Sequence, residues 1–282
     1  MYSNYLSYIK VAFRDHWAVG AFNISNLEQA QGVIQAAEKL QAPVLVNTSE
    51  KAIDYAGLLP LALIVKILAQ ETKVRVTLNL DHGRSFKVAA ACVRAGYNSL
   101  MIDGSALPYN QNVAVTAKVA NLAHRRGIPV EGELGALGGK EDYISGKVQM
   151  TDPAQAKDFI KRTKVNLLAI AIGNAHGIPQ ANEKLDFERL KAIHQTIPNQ
   201  PLVLHGASST PANNLRRAIS LGVVKINIDT DLRLAFATSL RKFLKHNQKV
   251  WDPREILGPT REAIQKVVEN KIKIFGSNNK SR

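Results

Sequence analysis

The sequence is poor in the features that mark secreted and membrane proteins. Cys92 is the only cysteine among 282 residues, which excludes an internal disulfide and fits a reducing compartment. No apolar run reaches the length of about eighteen residues that a membrane-spanning helix needs. The N-terminal residues lack the basic and apolar regions of a signal peptide. We therefore expect a cytoplasmic protein with no membrane partner.

Linkers and low-complexity segments are also scarce. No stretch rich in serine and glycine interrupts the chain before residues 276–279. The length of 282 residues and the hydrophobic content of 45% suffice for a large core. Because α/β barrels of about 250 residues are ordinary single domains, we expect one domain over residues 1–282.

Acidic residues are few relative to basic ones, and the formal net charge is +14. Such an excess can attract nucleic acid or other anionic partners. The basic residues are spread along the chain, however, and the densest groups lie at residues 241–249 and 271–282. Solvated helix faces explain this distribution better than a nucleic-acid surface, and a basic field also suits a phosphorylated substrate.

The chain does contain a recurring alternation of strand-like and helix-like segments. Eight such units over this length predict a (β/α)8 TIM barrel, an α/β fold, with a doubly wound parallel sheet as the alternative. An opening helix near residues 5–15 and a C-terminal helix near residues 260–274 would lie outside the repeat. The predicted strands cover residues 18–23, 43–47, 74–80, 99–102, 129–134, 167–172, 201–204 and 223–228.

Polar residues collect at the carboxyl ends of the predicted strands, where barrels of this type carry their chemistry. Asp81 and His82 follow the third strand, and such a pair is costly to bury without partners. His82, His176 and His205 would converge at one rim. Each histidine alone could be a hydrogen-bonded core residue, but three imidazoles with room for a water or a substrate oxygen are typical of a catalytic zinc site.

Other segments at the same rim permit two readings each. Asp103 and Glu133 either hold a second metal ion or orient an imidazole ligand. The loop at residues 138–142 is either a mobile lid that carries a carboxylate or an acidic surface loop. Residues 206–211 and 227–230 run into helices whose free N–H groups can hold a phosphate, unless they only make tight turns.

The longest of these motifs resembles a known family. Residues 131–141, EGELGALGGKE, are similar to the Glu-x-Glu-Leu-Gly-x-x-Gly-Gly-x-Glu signature of class II, metal-dependent ketose-bisphosphate aldolases. The resemblance covers nearly the whole chain. It continues through DHG at residues 81–83, GNAHG at 173–177, LHG at 204–206, NIDT at 227–230 and DPR at 252–254.

The resemblance implies a set of site residues. Asp81 would handle the proton on the substrate's C4 oxygen, and Glu141 would take a proton from dihydroxyacetone phosphate. The implied cofactor is a zinc ion, with a second position for a divalent or monovalent cation. The implied metal ligands are His82, His176 and His205 for zinc, and Asp103 and Glu133 for the second position.

The same resemblance implies a phosphorylated sugar as substrate and a homodimer or homotetramer as the assembly. An arginine of a neighbouring subunit would reach the far phosphate of the substrate. The implied substrate-binding residues are Asn23, Gly177, Gly206, Ala207, Ser208, Asn227, Ile228, Asp229, Thr230 and that arginine, for which Arg261 is the candidate.

Three departures from the family pattern stand out. Asn79 occupies the place of the first histidine in the family's usual His-x-Asp-His, so we expect altered tuning of the site. Ser209 occupies the place of a glycine in the phosphate loop, where a positive φ would cost a serine about 1 kcal/mol. Residues 143–150 form a shorter segment than in the family. None of the three removes a catalytic group.

The expected function is therefore the zinc-dependent, reversible cleavage of fructose 1,6-bisphosphate to dihydroxyacetone phosphate and glyceraldehyde 3-phosphate, a step of glycolysis and gluconeogenesis. Gly83 resembles the fructose enzymes more than the tagatose enzymes, so tagatose 1,6-bisphosphate is the alternative substrate. A low-activity paralogue that acts as a basic binding protein is the alternative of another class. A lysine Schiff base is a third option, although no lysine follows a predicted strand.

Overall fold

The computed structural model describes residues 1–141, 144–145, 149–177, 184–208 and 210–281, with the backbone alone described for 138–141 and 144–145. The helices are α1 (Leu6–Arg14), α2 (Leu27–Lys39), α3 (Glu50–Ala56), α4 (Leu58–Glu71), α5 (Phe86–Ala95), α6 (Tyr109–His124), α7 (Pro153–Thr163), α8 (Phe187–Thr196), α9 (Ala212–Ser220), α10 (Thr230–His246) and α11 (Pro253–Phe275). The strands are β1 (Val19–Asn23), β2 (Val44–Ser49), β3 (Val76–Gly83), β4 (Ser99–Ile102), β5 (Val130–Leu134), β6 (Gly138–Glu141), β7 (Ile144–Ser145), β8 (Leu167–Ile170), β9 (Ala175–His176), β10 (Leu202–Leu204) and β11 (Val223–Ile228).

Eight parallel strands close into a barrel in the order β1, β2, β3, β4, β5, β8, β10, β11. Strand β1 pairs with both β2 and β11, so the sheet has no free edge. This closure confirms the predicted (β/α)8 barrel and excludes the doubly wound alternative, whose sheet is open. Each of the eight predicted strands overlaps one strand of the barrel.

The N-terminal end of the barrel is closed by α1. Tyr5 at the N-cap of this helix, with Tyr8 and Ile9 within it, belongs to a buried cluster with barrel residues such as Leu45 and Met101. A second and larger apolar cluster lies between the strands and the surrounding helices. Because α1 covers one end, the other end is the open mouth at which the strands finish.

The prediction of a loop at residues 138–142 is wrong for residues 138–141, because these residues form strand β6. This strand pairs with β7 and runs parallel to β9, with Gly138 opposite Ala175 and Gly139 opposite His176. Strand β9 lies more than thirty residues away along the chain, so no local signal indicated that pairing. Residues 142–143 and 146–148, which include the rest of the proposed lid and half of the shortened segment, lie outside the described residues.

Two predicted helix starts need correction. Helix α11 begins at Pro253 and not near residue 260, because the Asp252 side chain caps its first turn and Pro259 is accommodated inside the helix. The sequence pattern at Thr210 suggests a capping residue before a proline, but Pro211 itself is the N-cap of α9 and no side chain caps that helix. The same sequence pattern at Asp152, before Pro153, does give a cap, because the Asp152 side chain accepts from the Gln155 N–H in the first turn of α7.

Among the described residues, no single helix has both the length and the apolar character needed to cross a membrane. Helices α3 and α4 meet these requirements only when counted together, and they are bent by 96° relative to each other.

Candidate active site and metal centre

The end of β3 brings two predicted site residues to the barrel mouth. The register between β3 and β4 shifts between Leu80 and Gly83, which marks an irregularity at Asp81 and His82. His82 has a φ of +46°, a left-handed conformation that is costly for a residue with a Cβ atom. Side chains alternate between faces in a regular strand, so the shift lets the neighbours Asp81 and His82 both point into the buried site.

Three imidazoles meet at this mouth. The ring centroid of His82 lies 4.6 Å from that of His205 and 5.0 Å from that of His176. The rings of His176 and His205 are 6.3 Å apart. All three side chains are buried, although they come from β3, from β9 and from the residue after β10. Their convergence is the arrangement that the sequence predicts.

His82 is held by carboxylates on one side and has an open nitrogen on the other. Its Nδ1 lies 2.9 Å from Asp103 Oδ2 and 3.6 Å from Glu133 Oε2. An ionised carboxylate only accepts hydrogen bonds, so Nδ1 carries a proton and Nε2 is the nitrogen that remains for a metal. That Nε2 is buried and has no hydrogen-bond partner among the described residues, and the same is true of Glu133 Oε2.

His205 is oriented by a carboxylate in the same manner. Its Nε2 lies 2.7 Å from Glu131 Oε1, and the other carboxylate oxygen of Glu131 lies 2.7 Å from Lys225 Nζ. All three side chains are buried in the barrel. Because Glu131 accepts at Nε2, His205 presents the lone pair of Nδ1, which lies 3.1 Å from the Asn227 side-chain amide.

Asp81 faces two amides. Asn23 Nδ2 donates to one carboxylate oxygen at 2.8 Å, and Asn227 Nδ2 donates to the other at 2.9 Å. Burial would raise the pKa of Asp81, but the charges of His82 and Lys225 and the hydrogen bond from Asn23 lower it below its usual value. Asp81 is therefore held as a carboxylate whose two oxygens point in fixed directions.

A small concave surface beside the imidazoles has the features of an anion site. Gly177 and Gly206 have positive φ angles of 92° and 59°. A Cβ atom at Gly206 would lie 2.3 Å from the Ala175 carbonyl oxygen, so only glycine fits there. The hydroxyl of Ser208 accepts from the backbone N–H groups at the start of α10. The surface is lined by Asn23, Asp81, His176, Gly177, His205, Gly206, Ser208, Asn227, Asp229 and Thr230.

Known proteins are similar to this chain in sequence and in fold. The family profile described as "Fructose-bisphosphate aldolase class-II" matches residues 3–280. The chain belongs to this family. The resemblance stated from the motifs is thereby confirmed, and the protein is a class II aldolase, a lyase of a metal-dependent family.

Individual relatives of this aldolase differ in the activity that they are named for. It is 41% identical over 274 residues to the fructose-bisphosphate aldolase of Geobacillus stearothermophilus, covering 96% of this chain and 95% of that protein. It is 38% identical over 274 residues to the sulfofructosephosphate aldolase of Alkalicoccus urumqiensis, with the same coverage of 96% and 95%. The crystal structure of the YdjI aldolase from Escherichia coli K12 matches with a TM-score of 0.88 and 34% identity, covering 100% of both chains.

The residues of the aldolase that could hold a metal form two overlapping groups. In each group the ligand atoms lie within 4.8 Å of one another. One group is Asp81, His82 and His205, and the other is His82, Asp103 and Glu133, so the predicted ligand His176 belongs to neither. His82 belongs to both, and its Nε2 and Glu133 Oε2 are buried atoms without a hydrogen bond among the described residues, which a cation would satisfy. The donor set of imidazole nitrogens and carboxylate oxygens fits a divalent metal such as zinc.

Burial and neighbouring charge separate the protonation of the three histidines. Burial, reinforced by His82, lowers the pKa of His176 to about 3 and that of His205 well below its usual value. Burial alone would also lower the pKa of His82, but Asp81, Asp103 and Glu133 together raise it well above the usual value. His176 and His205 are therefore neutral at pH 7, the form in which an imidazole binds a metal.

Several predicted substrate-binding residues do not present a side chain to this site. Ala207 and Ile228 are buried in the large apolar cluster, so only their backbones remain for a ligand. Arg261 lies on α11 with its Nη1 3.3 Å from Gln31 Oε1, in a groove away from the imidazoles. Its role in a neighbouring subunit stays a prediction. The side chain of Glu141 and all of Ser209 lie outside the described residues.

The sequence reasoning missed Glu131 and Lys225 as functional residues. Both are charged residues whose side chains are buried in strands of the barrel. A buried charge needs a partner, so a lysine in the run VVKINI and a glutamate in VEGEL could have been matched with each other. That signal was available, whereas the contact of Glu131 with His205 required the closed barrel.

Proposed function

We propose that this aldolase cleaves fructose 1,6-bisphosphate reversibly to dihydroxyacetone phosphate and glyceraldehyde 3-phosphate, with zinc held by His82, His176 and His205. The observation that carries the proposal is the convergence of three buried imidazoles beside an anion-binding surface, with His82 Nε2 unpaired. When bound, zinc supplies a Lewis acid that draws electron density from the carbonyl oxygen of the substrate.

The two further carboxylates have different roles in this proposal. Asp103 accepts from His82 Nδ1 and so orients that imidazole. Glu133 keeps one buried oxygen without a hydrogen bond, and it is the ligand proposed for a second cation. Burial, reinforced by the nearby Asp103, raises the pKa of Glu133, which a cation at this position would reverse.

Asp81 is the proposed base for cleavage. It takes the proton from the C4 hydroxyl while the C3–C4 bond breaks, so that the C4 oxygen becomes the carbonyl oxygen of the aldehyde product. The bonding electrons pass to C3, and Glu141 supplies the proton that completes dihydroxyacetone phosphate there. The amides of Asn23 and Asn227 hold the Asp81 carboxylate in place for this transfer.

A second cavity suits the distal end of the substrate. It has a volume of about 330 Å³ and shares Asn23 and Asp229 with the anion surface. Lys51 and Arg233 also line it. Arg233 forms an ion pair with Asp229 at 2.7 Å, and the positive charge of the two basic side chains would attract a second anionic group. Because one relative is named for a sulfofructose phosphate, the distal group is the feature on which close substrates would differ.

The proposed assembly is a homodimer or homotetramer in the cytoplasm. Leu59, Leu63 and Ile67 are more than half exposed and lie along one face of α4, which supports a contact between subunits. A buried free thiol at Cys92 is compatible with the proposed compartment. Analytical ultracentrifugation of the purified protein measures the assembly directly.

Coupled cleavage assays test the function. The purified enzyme is expected to cleave fructose 1,6-bisphosphate, to lose activity with a chelator and to regain it with zinc. Tagatose 1,6-bisphosphate and a sulfofructose phosphate are assayed in parallel, and a higher kcat/KM for either replaces fructose 1,6-bisphosphate as the substrate. No turnover of any of them with zinc restored, together with salt-sensitive nucleic-acid binding, supports the basic binding protein instead.

A further inference from the structure

Four buried polar side chains form a row across four adjacent strands of the barrel. Asn23 on β1 is in register with Asn47 on β2, which is in register with Asn79 on β3, which is in register with Ser99 on β4. Each has an exposed fraction of 5% or less. We call these four residues the amide row.

Hydrogen bonds join the amide row into one chain. Asn47 Nδ2 donates to Asn23 Oδ1 at 3.0 Å, and Asn79 Nδ2 donates to Asn47 Oδ1 at 3.0 Å. The hydroxyl of Ser99 donates to Asn79 Oδ1. At the other end, Asn23 Nδ2 donates to Asp81 Oδ2 at 2.8 Å. Every donor therefore points toward Asp81.

One chemical fact sets the direction of the whole row. The Asp81 carboxylate only accepts, so Asn23 must turn its NH2 group toward it and its oxygen toward Asn47. The same reasoning passes to Asn47 and then to Asn79, and the row ends at Ser99 because a hydroxyl can donate to the last oxygen. Aligned hydrogen bonds polarise one another in a low-dielectric interior, so the four bonds reinforce a single orientation.

We propose that Asn79, Asn47 and Ser99 are positioning residues that fix the Asn23 amide and, through it, the Asp81 carboxylate. This inference rests on the proposed role of Asp81 in cleavage. Without the row, the Asn23 oxygen loses the hydrogen bond from Asn47 that anchors it, so the Asn23 amide no longer holds the Asp81 carboxylate in one fixed direction. The histidine that the family usually has at the place of Asn79 also offers one donor and one acceptor, so the departure preserves the bridge.

A merely structural role for the row predicts a different result. Any buried hydrogen bond contributes to stability, so removing one lowers the melting temperature in either case. Thr48 provides the matched control, because it neighbours Asn47 on β2, is fully buried and bonds Tyr97 at 2.7 Å, with no link to Asp81. Thr48→Val loses one buried hydrogen bond on the same strand and is expected to keep kcat.

The experiment compares Asn79→Leu and Ser99→Ala with Thr48→Val in the zinc-loaded enzyme. Asn79→Leu keeps the branched shape and the number of heavy atoms of the side chain but leaves the Asn47 oxygen without its donor, and we expect kcat for cleavage to fall about tenfold or more with KM little changed. Ser99→Ala is a smaller change and serves if Asn79→Leu does not fold. Its kcat for cleavage is expected to fall by about three- to tenfold. Ser99→Thr keeps the hydroxyl and is expected to restore kcat.

A partial reaction separates loss of positioning from damage to the metal centre. Exchange of the C3 proton of dihydroxyacetone phosphate with deuterated water needs the proposed metal and Glu141 but not Asp81. Asn79→Leu and Ser99→Ala are therefore expected to retain both the exchange rate and the zinc content while cleavage slows. Exchange or zinc content that falls in parallel with cleavage overturns the inference, as does a kcat equal to that of Thr48→Val.

The two proposals fail in distinguishable ways. A wild-type enzyme that cleaves none of the sugar phosphates with zinc bound overturns the proposed function, and this inference with it. A wild-type enzyme that cleaves normally, with row variants that match Thr48→Val, overturns the inference alone.

Discussion

The amide row and the group of three histidines lie in one barrel but differ in how far their buried polar atoms are hydrogen-bonded. In the row, each side-chain amide both donates and accepts, and the last oxygen faces a hydroxyl. Among the histidines, His82 Nε2 is buried without a hydrogen bond. Satisfied polar groups fix geometry, whereas an unsatisfied buried group is unstable unless a ligand completes it. The contrast separates residues that position from residues that bind.

Removing His82 should have the largest effect, because it belongs to both candidate metal groups. His82→Ala is expected to lose bound zinc and to lower kcat for cleavage by about a thousandfold or more, since the Lewis acid contributes several kcal/mol. Zinc stoichiometry and the coupled assay measure the two effects, with Ser99→Ala as the variant that keeps its zinc. A His82→Ala enzyme with full zinc content would show that His82 does not bind the metal, and its contrast with the positioning residues of the amide row would be lost.

Asp81 lies where the amide row meets the three histidines, and its removal tests both. Asp81→Ala is expected to lower kcat by about a hundred- to a thousandfold with zinc retained, because a general base is lost and the ligands are not. The coupled assay measures this change, and exchange of the C3 proton of dihydroxyacetone phosphate should continue. Cleavage as fast as in the parent enzyme would show that another group moves the C4 proton.

The buried ion pair behind His205 should matter mainly for stability. Lys225→Met leaves Glu131 as an uncompensated charge in the barrel, and we expect the free energy of unfolding to fall by about 3–5 kcal/mol. Lys39→Met, which breaks the ion pair of Lys39 with Glu269 at the surface, should cost less than about 1 kcal/mol. Urea denaturation of the metal-free proteins gives both values, and equal losses would contradict the buried pairing.

The smallest expected effect concerns the anion surface. Gly206→Ala places a Cβ atom against the Ala175 carbonyl next to His176, so we expect KM for the bisphosphate to rise about tenfold or less. Gly127→Ala is the control, because Gly127 also has a positive φ but has nothing within 4 Å of an added Cβ. Steady-state kinetics of the two variants make the comparison. An unchanged KM in Gly206→Ala would remove this turn from the proposed substrate site.

Local patterns predicted the frame of the molecule well. The predicted strands at residues 99–102 and 223–228 have their observed bounds, because mostly apolar and β-branched segments favour buried strands. Elements with weaker local signals were placed less well. Strand β6 contains two glycines, and its pairing with β9 is not revealed by local patterns. The start of helix α11 was placed too late because Pro259 lies inside the helix, although Asp252 before Pro253 is a local capping signal.

Candidate site residues could be predicted as members of one rim but not in their individual geometry. His82, His176 and His205 follow different strands, and parallel strands of a barrel end on one side, so their convergence needed only the fold. Which nitrogen of each ring is open depends on Asp103 and Glu131, and these contacts depend on side-chain positions in three dimensions.

The sequence by itself determined that eight strands alternate with helices and that imidazoles and carboxylates follow those strands, because periodicity and strand ends are local properties. Only the tertiary structure decided that Asn23, Asn47, Asn79 and Ser99 lie at one level and that Lys225 meets Glu131. These contacts join residues separated by 20 to 94 positions. Closure of the barrel sets the register between strands, and that register determines which buried donor meets which acceptor.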